Sequence, residues 1–500
     1  MKKTFKLAAL LLAIVALITT GCKKDKKDAA FSISRVNLTG VKYLALGSQN
    51  SGAKGDAKGG VQNMLYSIDE NGDMQLVAYE YDCDEDGLET ELSRNIGIMI
   101  NQIVPVGDKY IWLVGCRYVC DDYSGFSESM QNRIRGVVQH SLDSWFGDNF
   151  LIRKSDGKIF DLGEVIGKFP VGNVGELVPG FGNVGMVFNG DMPLDGEISA
   201  DRLSKLGLIN QVGDEVYLAS GSWQGGLAKL KDNGSQIDVI NVYPANIAYS
   251  ITDGQGHLGT VISYSSNIPQ IPAIMAPDGT LPSIQGIPTA GTESSCWPEM
   301  RCIGGKFFVS VNVNDWNGDD YDSIYRVDAS TSPATAIGVA KGYFSDDEYE
   351  AYSTITYVSD DETYSWFSGT SLFTFNSSTY QLTENSLPAG WPQYSLYDAE
   401  GCCYEAHLGN GLQGFTIYRL ATLTTENVAC DRSQVPTYNI HKGCSYDGGI
   451  KAFVESVIMA DGSTVTIVTP VTGADKGVSR IQSQTEANNN VVVSTLVPLN

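Results

Sequence analysis

The chain has 500 residues, of which 42% are hydrophobic and 18% charged, a balance that excludes an intrinsically disordered protein. Its formal net charge of −24 argues against nucleic acid as a partner, because phosphate binding needs a basic surface. Fifty-four glycines and 25 tyrosines favour an all-β protein with many turns.

The N-terminus has the features of a cleaved leader. Three lysines precede an apolar run, residues 7–18, which is shorter than the ~20 residues of a membrane-spanning helix. The sequence TTG before Cys22 resembles a bacterial lipobox, where the leader is cut before a lipidated cysteine. We therefore predict a signal peptide over 1–21, a lipid on Cys22 and a charged, solvated tether over 22–30. An ordinary signal peptide with a chance cysteine is the alternative.

A four-strand unit recurs along the rest of the chain. Short alternating or β-branched runs are separated by Gly, Asn and Asp turns, which is typical of strands. The units begin roughly 40 to 50 residues apart, which is the spacing of four-stranded propeller blades. A β-sandwich is the alternative, but it would not repeat one four-strand unit so often. The units are 31–80, 98–165, 206–243, 246–285, 299–340, 352–387, 394–429 and a last one from 443.

We predict a single β-propeller domain over 31–500. Propeller closure commonly mixes strands from both termini in one blade, because closure protects the edges of the sheets. If the first and last units merge, the ring has seven blades, and if they stay separate it has eight. We predict seven.

Four X-Pro dipeptides support this division into blades. Pro244, Pro298, Pro392 and Pro436 each stand near the start of a unit. Proline lacks the N–H that a central strand needs, so it belongs at a strand entrance. We expect the four prolines at equivalent places around the ring.

A helical insertion is predicted in the second blade, over 120–149. Its apolar residues follow a 3.6-residue period, and Ser127 is a suitable N-cap. We expect this helix to pack on the propeller.

The long connections are all predicted on one face of the propeller, which makes that face the candidate binding surface. Aromatic residues are enriched at recognition sites, although loop tryptophans that merely plug the propeller mouth are the alternative. Trp112 and Trp366 lie in predicted strands and are expected in the core. The predicted ligand-binding residues are Trp145, Trp223, Trp297, Trp316 and Trp391, with Arg133 and Arg135 from the helical insertion.

An acidic segment gives the main candidate metal site, and NDWNGDD, 314–320, is a weaker one. Asp82, Asp84 and Asp86 stand at alternate positions before a glycine, as at the start of a calcium loop. The twelfth position is Ser93 instead of a bidentate glutamate, and a solvated acidic loop is the alternative. We expect no other cofactor.

No catalytic motif is evident. The sequences GxSxG, HExxH and a P-loop are missing from the chain, and each GxGxxG stands between strand-like runs with no helix after it. The four histidines have no catalytic motif around them. Two cysteine pairs, Cys116/Cys120 and Cys296/Cys302, are close enough in sequence to be tested as disulfides.

The lipobox, the charged tether and the blade pattern together resemble the surface lipoproteins of Bacteroides-like bacteria. That resemblance implies an outer-membrane protein that captures cobalamin or a siderophore for a TonB-dependent transporter, anchored only through its lipid. It supplies no ligand-binding residue. We therefore expect a protein, more a binder than an enzyme, that captures a small-molecule or oligosaccharide ligand. An extracellular carbohydrate-active enzyme or glycan-binding accessory protein is the first alternative, and a protein–protein scaffold the second.

Overall fold

The computed structural model describes most of the chain after residue 31. The named elements in this part are all β-strands, and no helix long and apolar enough to cross a membrane is found in it. The described residues are 32–50, 61–82, 96–119, 148–162, 209–219, 227–243, 246–263, 271–287, 294–315, 320–341, 355–359, 363–368, 371–376, 378–379, 381–392, 397–398, 400–485 and 491–499.

The strands follow the alternation of apolar and polar residues in the sequence. In chain order they are β1 (Ser32–Val36), β2 (Val41–Asn50), β3 (Val61–Asp69), β4 (Met74–Leu76), β5 (Tyr79–Asp82), β6 (Ile96–Val106), β7 (Tyr110–Val119), β8 (Asp148–Arg153), β9 (Ile159–Asp161), β10 (Ile209–Val212), β11 (Glu215–Ala219), β12 (Leu227–Asp232), β13 (Ile237–Tyr243), β14 (Asn246–Thr252), β15 (Leu258–Ser263), β16 (Ile271–Ile274), β17 (Ser294–Ile303), β18 (Lys306–Asp315), β19 (Asp320–Asp328), β20 (Thr335–Lys341), β21 (Ile355–Val358), β22 (Thr363–Ser368), β23 (Ser371–Asn376), β24 (Gln381–Ser386), β25 (Cys402–Gly409), β26 (Gly411–Arg419), β27 (Thr424–Ala429), β28 (Ile440–Asp447), β29 (Ala452–Ile458), β30 (Thr464–Pro470), β31 (Arg480–Gln484) and β32 (Val491–Pro498).

These strands form a β-propeller of eight blades, each an antiparallel sheet. Sequence neighbours pair within every blade, except that β32 pairs with β2 in blade 1. Blade 1 has the order β32-β2-β3-β4, and blade 2 has the order β6-β7-β8-β9. The others are blade 3 (β10–β13), blade 4 (β14–β16), blade 5 (β17–β20), blade 6 (β21–β24), blade 7 (β25–β27) and blade 8 (β28–β31).

The prediction of seven blades is wrong, although the predicted closure is correct. The last unit of the sequence contains five strands, and β28 to β31 form a blade of their own. Only the fifth, β32, pairs with β2 and completes the N-terminal blade. Both termini therefore share blade 1 without reducing the count.

A two-stranded ribbon of β1 and β5 lies outside the blades. It is joined to the edge of blade 2, where Val36 N donates a hydrogen bond of 2.9 Å to Gly157 O. Gly157 has a φ of +72°, and a Cβ there would stand 1.9 Å from Val36 O. The turn after β8 therefore requires glycine for both reasons.

Each blade has a turn end and a loop end. The turn end carries the connections between the first and second strands and between the third and fourth, such as 107–109, 154–158 and 213–214. The opposite strand ends, here called the loop end, lead into 120–147 and 163–208, which lie outside the described residues. The predicted helix falls almost wholly in the first of these segments. Its last two residues, 148–149, are instead the start of β8.

Adjacent blades are linked at their outer strands by a repeated pair of backbone hydrogen bonds. Gln285 of blade 4 donates to Ala334 O at 2.8 Å and accepts from Ala336 N of blade 5 at 2.8 Å. Parallel bridges at Asp431 and Gln484 join blades 7 and 8 and blades 8 and 1 in the same way. The ring is therefore closed by hydrogen bonds as well as by apolar packing.

The core consists of apolar side chains packed between neighbouring blades. Leu44 and Leu65 of blade 1 belong to one cluster with Ile111 and Phe150 of blade 2. Trp112 is completely buried, which confirms the prediction that it is a core residue. Trp366 lies in β22, but its side chain is outside the described part of the chain.

One prediction about β17 is wrong, and one candidate cysteine pair in it is excluded. Pro298 lies inside this strand, opposite Val311, and not before it. The strand tolerates it because β17 is at the edge of its sheet, where one side needs no N–H donor. Cys296 and Cys302 are both in β17, and at ~3.3 Å per residue they are ~20 Å apart. A disulfide needs Cα atoms within ~7 Å, so these two cannot pair. Cys120, of the other pair, lies outside the described residues.

Candidate functional site

One face of blade 7 carries an exposed polar network. Because side chains alternate along a strand, Tyr404 faces blade 8, where its ring stacks on Tyr446 at 5.0 Å. The neighbouring residues of β25 point to the other face. The strand register arranges that face in three cross-strand rows, Cys403–Tyr418–Thr425, Glu405–Thr416–Asn427 and His407–Gly414–Ala429. We call these nine residues the polar face.

Hydrogen bonds connect the rows of the polar face. Tyr418 Oη donates to Glu405 Oε2 at 2.5 Å. Thr416 Oγ1 donates to Asn427 Oδ1 at 2.8 Å, and the same oxygen lies 2.7 Å from His407 Nε2. Because the single hydroxyl hydrogen of Thr416 is already used, His407 Nε2 must carry the proton and donate it. In the neutral form of the imidazole, the lone pair of His407 Nδ1 is then an acceptor.

The network is buried at its centre and open at its edges. Thr416 is only 7% exposed, whereas Glu405, His407 and Asn427 are exposed. The second carboxylate oxygen of Glu405, Nδ1 of His407 and the amide nitrogen of Asn427 take no part in the hydrogen bonds of the network. These three atoms are available to a ligand.

An apolar cluster bounds the polar face on one side. Trp391 is 8% exposed and packs edge-on against Tyr418, with ring centroids 5.3 Å apart. The cluster also contains Phe367 and Tyr397. The hydrogen bond to Glu405, with burial second, raises the pKa of Tyr418 to about 12. At neutral pH Tyr418 is therefore a fixed donor that orients the carboxylate.

At the other end of the polar face, the row of His407 contains two small residues. Gly414 lies between His407 and Ala429 in its row. A Cβ at Gly414 would stand 2.5 Å from Val428 O, so the strands are too close there for a larger residue. The row of His407 therefore carries no large side chain besides the imidazole.

The opposite face of blade 7 is anchored to blade 8. Glu455 of β29 accepts hydrogen bonds from Leu412 N at 3.1 Å and Arg432 Nη1 at 2.8 Å. Tyr438 Oη donates to Asn410 O at 2.5 Å. These contacts hold the tip of the β25–β26 hairpin from outside the blade, and thereby fix the strands that present the polar face.

The glycine motif GNGLQG, 409–414, provides this hairpin tip. Gly411 has a φ of +94°, and a Cβ there would stand 2.1 Å from Tyr438 Oη. A second GxGxxG motif, 254–259, forms the turn between β14 and β15. Both therefore have a structural explanation that involves no nucleotide.

Of the predicted ligand-binding residues, only Trp391 has a side chain within the described part of the chain. Trp391 is buried beside the polar face, and its contact with a ligand stays a prediction. Trp297 lies in β17 and Asp82 ends β5, but their side chains are outside the described part. The remaining predicted residues also lie outside it: Cys22, Asp84, Asp86, Arg133, Arg135, Trp145, Trp223 and Trp316.

The polar face was not among the predicted sites, because His407 has no motif around it in the sequence. The available signal was the alternation in YEAHLG, 404–409, where polar residues occupy every second position opposite apolar ones. That pattern identifies an exposed strand face, but it does not identify the partners in β26 and β27.

Other reactive side chains of the described part are poorly suited to chemistry. Burial, the largest cause, raises the pKa of Cys302 and of Cys403 to about 11 and that of Cys444 to about 12. These thiols are protonated at neutral pH and are weak nucleophiles. In the same described residues, no group of three or more His, Cys, Asp or Glu side chains could hold a metal ion.

The comparisons with known proteins identify no family. No protein-family model matches the chain, and no curated protein matches it. Among similar solved structures are a candidate 6-phosphogluconolactonase from Bacteroides fragilis, the extracellular domain of a candidate one-component system from B. thetaiotaomicron, and prolyl oligopeptidase B from Galerina marginata.

The agreement with these three structures is low. The first has 13% identity and a TM-score of 0.30, over 78% of this chain and 98% of that chain. The second has 9% identity and a TM-score of 0.28, over 90% and 54%. The third has 10% identity and a TM-score of 0.32, over 93% and 59%. The propeller assignment therefore depends on the sheet topology alone.

Proposed function

We propose that the protein is a lipid-anchored, cell-surface propeller that captures a small-molecule or oligosaccharide ligand on the polar face of blade 7. The observation that carries the proposal is the set of hydrogen bonds that joins Tyr418 to Glu405 and joins His407, Thr416 and Asn427 to one another. Its outward atoms are held in place before any ligand arrives, and such preorganisation reduces the entropic cost of binding.

Capture without reaction is favoured over catalysis. Hydrolysis of a glycosidic bond requires two carboxyl groups ~5–9 Å apart, whereas Glu405 is the one carboxylate in the three rows. Thr416 is buried and directs its hydroxyl hydrogen to Asn427, so His407 does not activate it as a nucleophile.

The cellular role belongs to the same proposal. Lipidation of Cys22 would hold the propeller at the outer membrane, facing the exterior. A captured ligand would then be passed to a TonB-dependent transporter, as in the lipoproteins that the N-terminal sequence resembles. Trp223, Trp297 and Trp316 belong to blades 3 and 5, so they would contact only an extended ligand that also crosses the loop end.

A thermal-shift screen tests the capture function. The purified mature protein is screened against a library of neutral, cationic and anionic small molecules. Compounds that raise its melting temperature are then tested on His407→Ala and Asn427→Ala. We expect both variants to lose the shift, while His257→Ala, which changes another partly exposed histidine at the turn end, keeps it.

Two outcomes contradict the proposal. One is that no compound in the library stabilises the protein. The other is that the stabilising compounds shift His407→Ala and Asn427→Ala as much as the wild type. Circular dichroism of each variant establishes first that the propeller is folded.

A further inference from the structure

The outward groups of the polar face do not form a metal site. Glu405 and His407 are two residues apart on β25, which places their Cβ atoms ~7 Å apart. Asn427 lies two strands away from Glu405, at ~10 Å. No group of three or more His, Cys, Asp or Glu side chains in the described part of the chain could hold a metal ion. Groups spread over two strands in this way suit contacts with separate atoms of a larger ligand.

The hydrogen-bonding character of these atoms is mixed. Glu405 and Nδ1 of His407 accept hydrogen bonds, and the amide nitrogen of Asn427 donates them. A hydroxyl group both donates and accepts, so it can satisfy any of the three. An apolar ligand would bury the second carboxylate oxygen of Glu405 without a hydrogen-bond donor, which is costly.

The charge of the polar face selects against anions. Glu405 is its one charged side chain, and no Lys or Arg occurs in the three rows. The chain as a whole carries −24. An anionic ligand would therefore meet repulsion with no compensating cation. A cationic ligand would pair with Glu405 but would leave His407 Nδ1 and the amide of Asn427 unused.

We infer that the ligand bound by Glu405, His407 and Asn427 is a neutral polyhydroxylated molecule of oligosaccharide type. This inference rests on the proposed function and specifies the class of ligand. Hydroxyl groups on neighbouring parts of the ligand contact the three side chains. A sugar ring of the ligand lies over the small residues Gly414 and Ala429.

Binding to a glycan array, followed by calorimetry, tests the inference. The array presents neutral oligosaccharides, and spermidine and citrate serve as cationic and anionic probes in calorimetry. We expect at least one neutral oligosaccharide to bind. Its dissociation constant should stay within about twofold between 20 mM and 500 mM NaCl, because salt screens only interactions between charges.

Substitutions distinguish the contribution of hydrogen bonds to ligand affinity from the contribution of charge. His407→Ala and Asn427→Ala should each weaken oligosaccharide binding about tenfold, the effect of losing one or two net hydrogen bonds. Glu405→Gln keeps an acceptor oxygen and removes the charge, so it should weaken binding less than tenfold. For a cationic ligand the same change would abolish binding.

The results distinguish the ligand class from the capture function. Binding of spermidine or citrate that is lost in His407→Ala, with no neutral oligosaccharide bound, overturns the ligand class and leaves capture on blade 7 intact. A strong loss of affinity at 500 mM NaCl also overturns it. Oligosaccharide binding that neither His407→Ala nor Asn427→Ala affects overturns the proposed site itself.

Discussion

Glu455 of blade 8 and Arg432 form a buried ion pair, with 2.8 Å between Glu455 Oε2 and Arg432 Nη1. The glutamate side chain is 1% exposed and the arginine side chain 17%. Burial acts to lower the pKa of Arg432, but the hydrogen bonds and charge of Glu455 outweigh it, and the pKa is raised. The pair therefore stays charged and holds the blade 7 hairpin.

Glu455→Gln should destabilise the protein strongly. The substitution leaves the guanidinium of Arg432 buried without its counter-charge, which typically costs about 3–5 kcal/mol. The free energy of unfolding in urea measures the change. As a control, Arg480→Gln disrupts the exposed pair with Asp475 and should cost about 1 kcal/mol or less. Equal effects of the two substitutions would contradict the anchoring role of Glu455.

Gly157→Ala should destabilise the junction of the β1–β5 ribbon with blade 2. The new Cβ would stand 1.9 Å from Val36 O, in addition to the strain of a φ of +72°. Gly213→Ala is the matched control, because its φ is +62° but no atom lies within 4 Å. The control should lose only about 1–2 kcal/mol, and Gly157→Ala should lose distinctly more. Urea unfolding of both variants measures the difference.

Asp156 should contribute to stability only above acidic pH. Hydrogen bonds from Arg153, at 2.9 Å from Nε and 2.7 Å from Nη2, are the main cause that lowers the pKa of Asp156 to about 2. The stability from this carboxylate is therefore complete above its ordinary pKa of 3.8 and is lost as the pH falls towards 2.

Urea unfolding of the wild type and of Asp156→Asn over a range of pH tests this pH dependence of stability. The difference between their urea midpoints should be largest at pH 6 and should narrow below pH 4. A difference that stays constant between pH 6 and pH 3 would show that Asp156 is not linked to proton uptake on unfolding. The double variant Arg153→Gln/Asp156→Asn should also lack the pH dependence of stability that the Asp156 carboxylate confers.

The sequence predicts most of the fold because strand alternation and turn residues are local signals. The predicted unit 206–243 corresponds to β10–β13, and 352–387 corresponds to β21–β24. The blade count fails because it depends on how five strands after residue 440 are divided between two sheets. That division is decided by the pairing of β32 with β2, more than 440 residues apart in the chain.

The polar face could not be predicted from the sequence, for a related reason. Glu405 and His407 are ordinary residues for an exposed strand. Their significance arises only when the register of β25, β26 and β27 places Thr416 and Asn427 beside them. A motif defined by residue spacing within one chain segment cannot include residues that only strand pairing brings together.

Cys22→Ser should release the protein from the membrane fraction. A lipid chain contributes ~0.8 kcal/mol per buried methylene group, and several chains together anchor a soluble domain stably. Fractionation of cells that express each form, followed by immunoblotting, measures the distribution. Retention of Cys22→Ser in the membrane fraction with normal processing would contradict the lipoprotein prediction.

The tryptophans should separate into a structural and a binding class. Trp391 is 8% exposed and supports Tyr418, so Trp391→Ala should cost about 3–5 kcal/mol of stability. Trp223 and Trp316 are predicted to contact the ligand. Alanine at either should weaken binding by roughly 1–3 kcal/mol, with little change in melting temperature.

Deletion of 121–147 completes this test of the loop end. Blade 2 should stay folded without the segment, because β7 and β8 pair directly from Tyr110↔Arg153 to Gly115↔Asp148. A short Gly-Ser linker replaces the deleted residues. Calorimetry with the bound oligosaccharide should show weaker binding if this segment forms a wall of the site. Unchanged affinity in the deletion and in both alanine variants would restrict binding to the polar face of blade 7 and assign the two tryptophans no role in it.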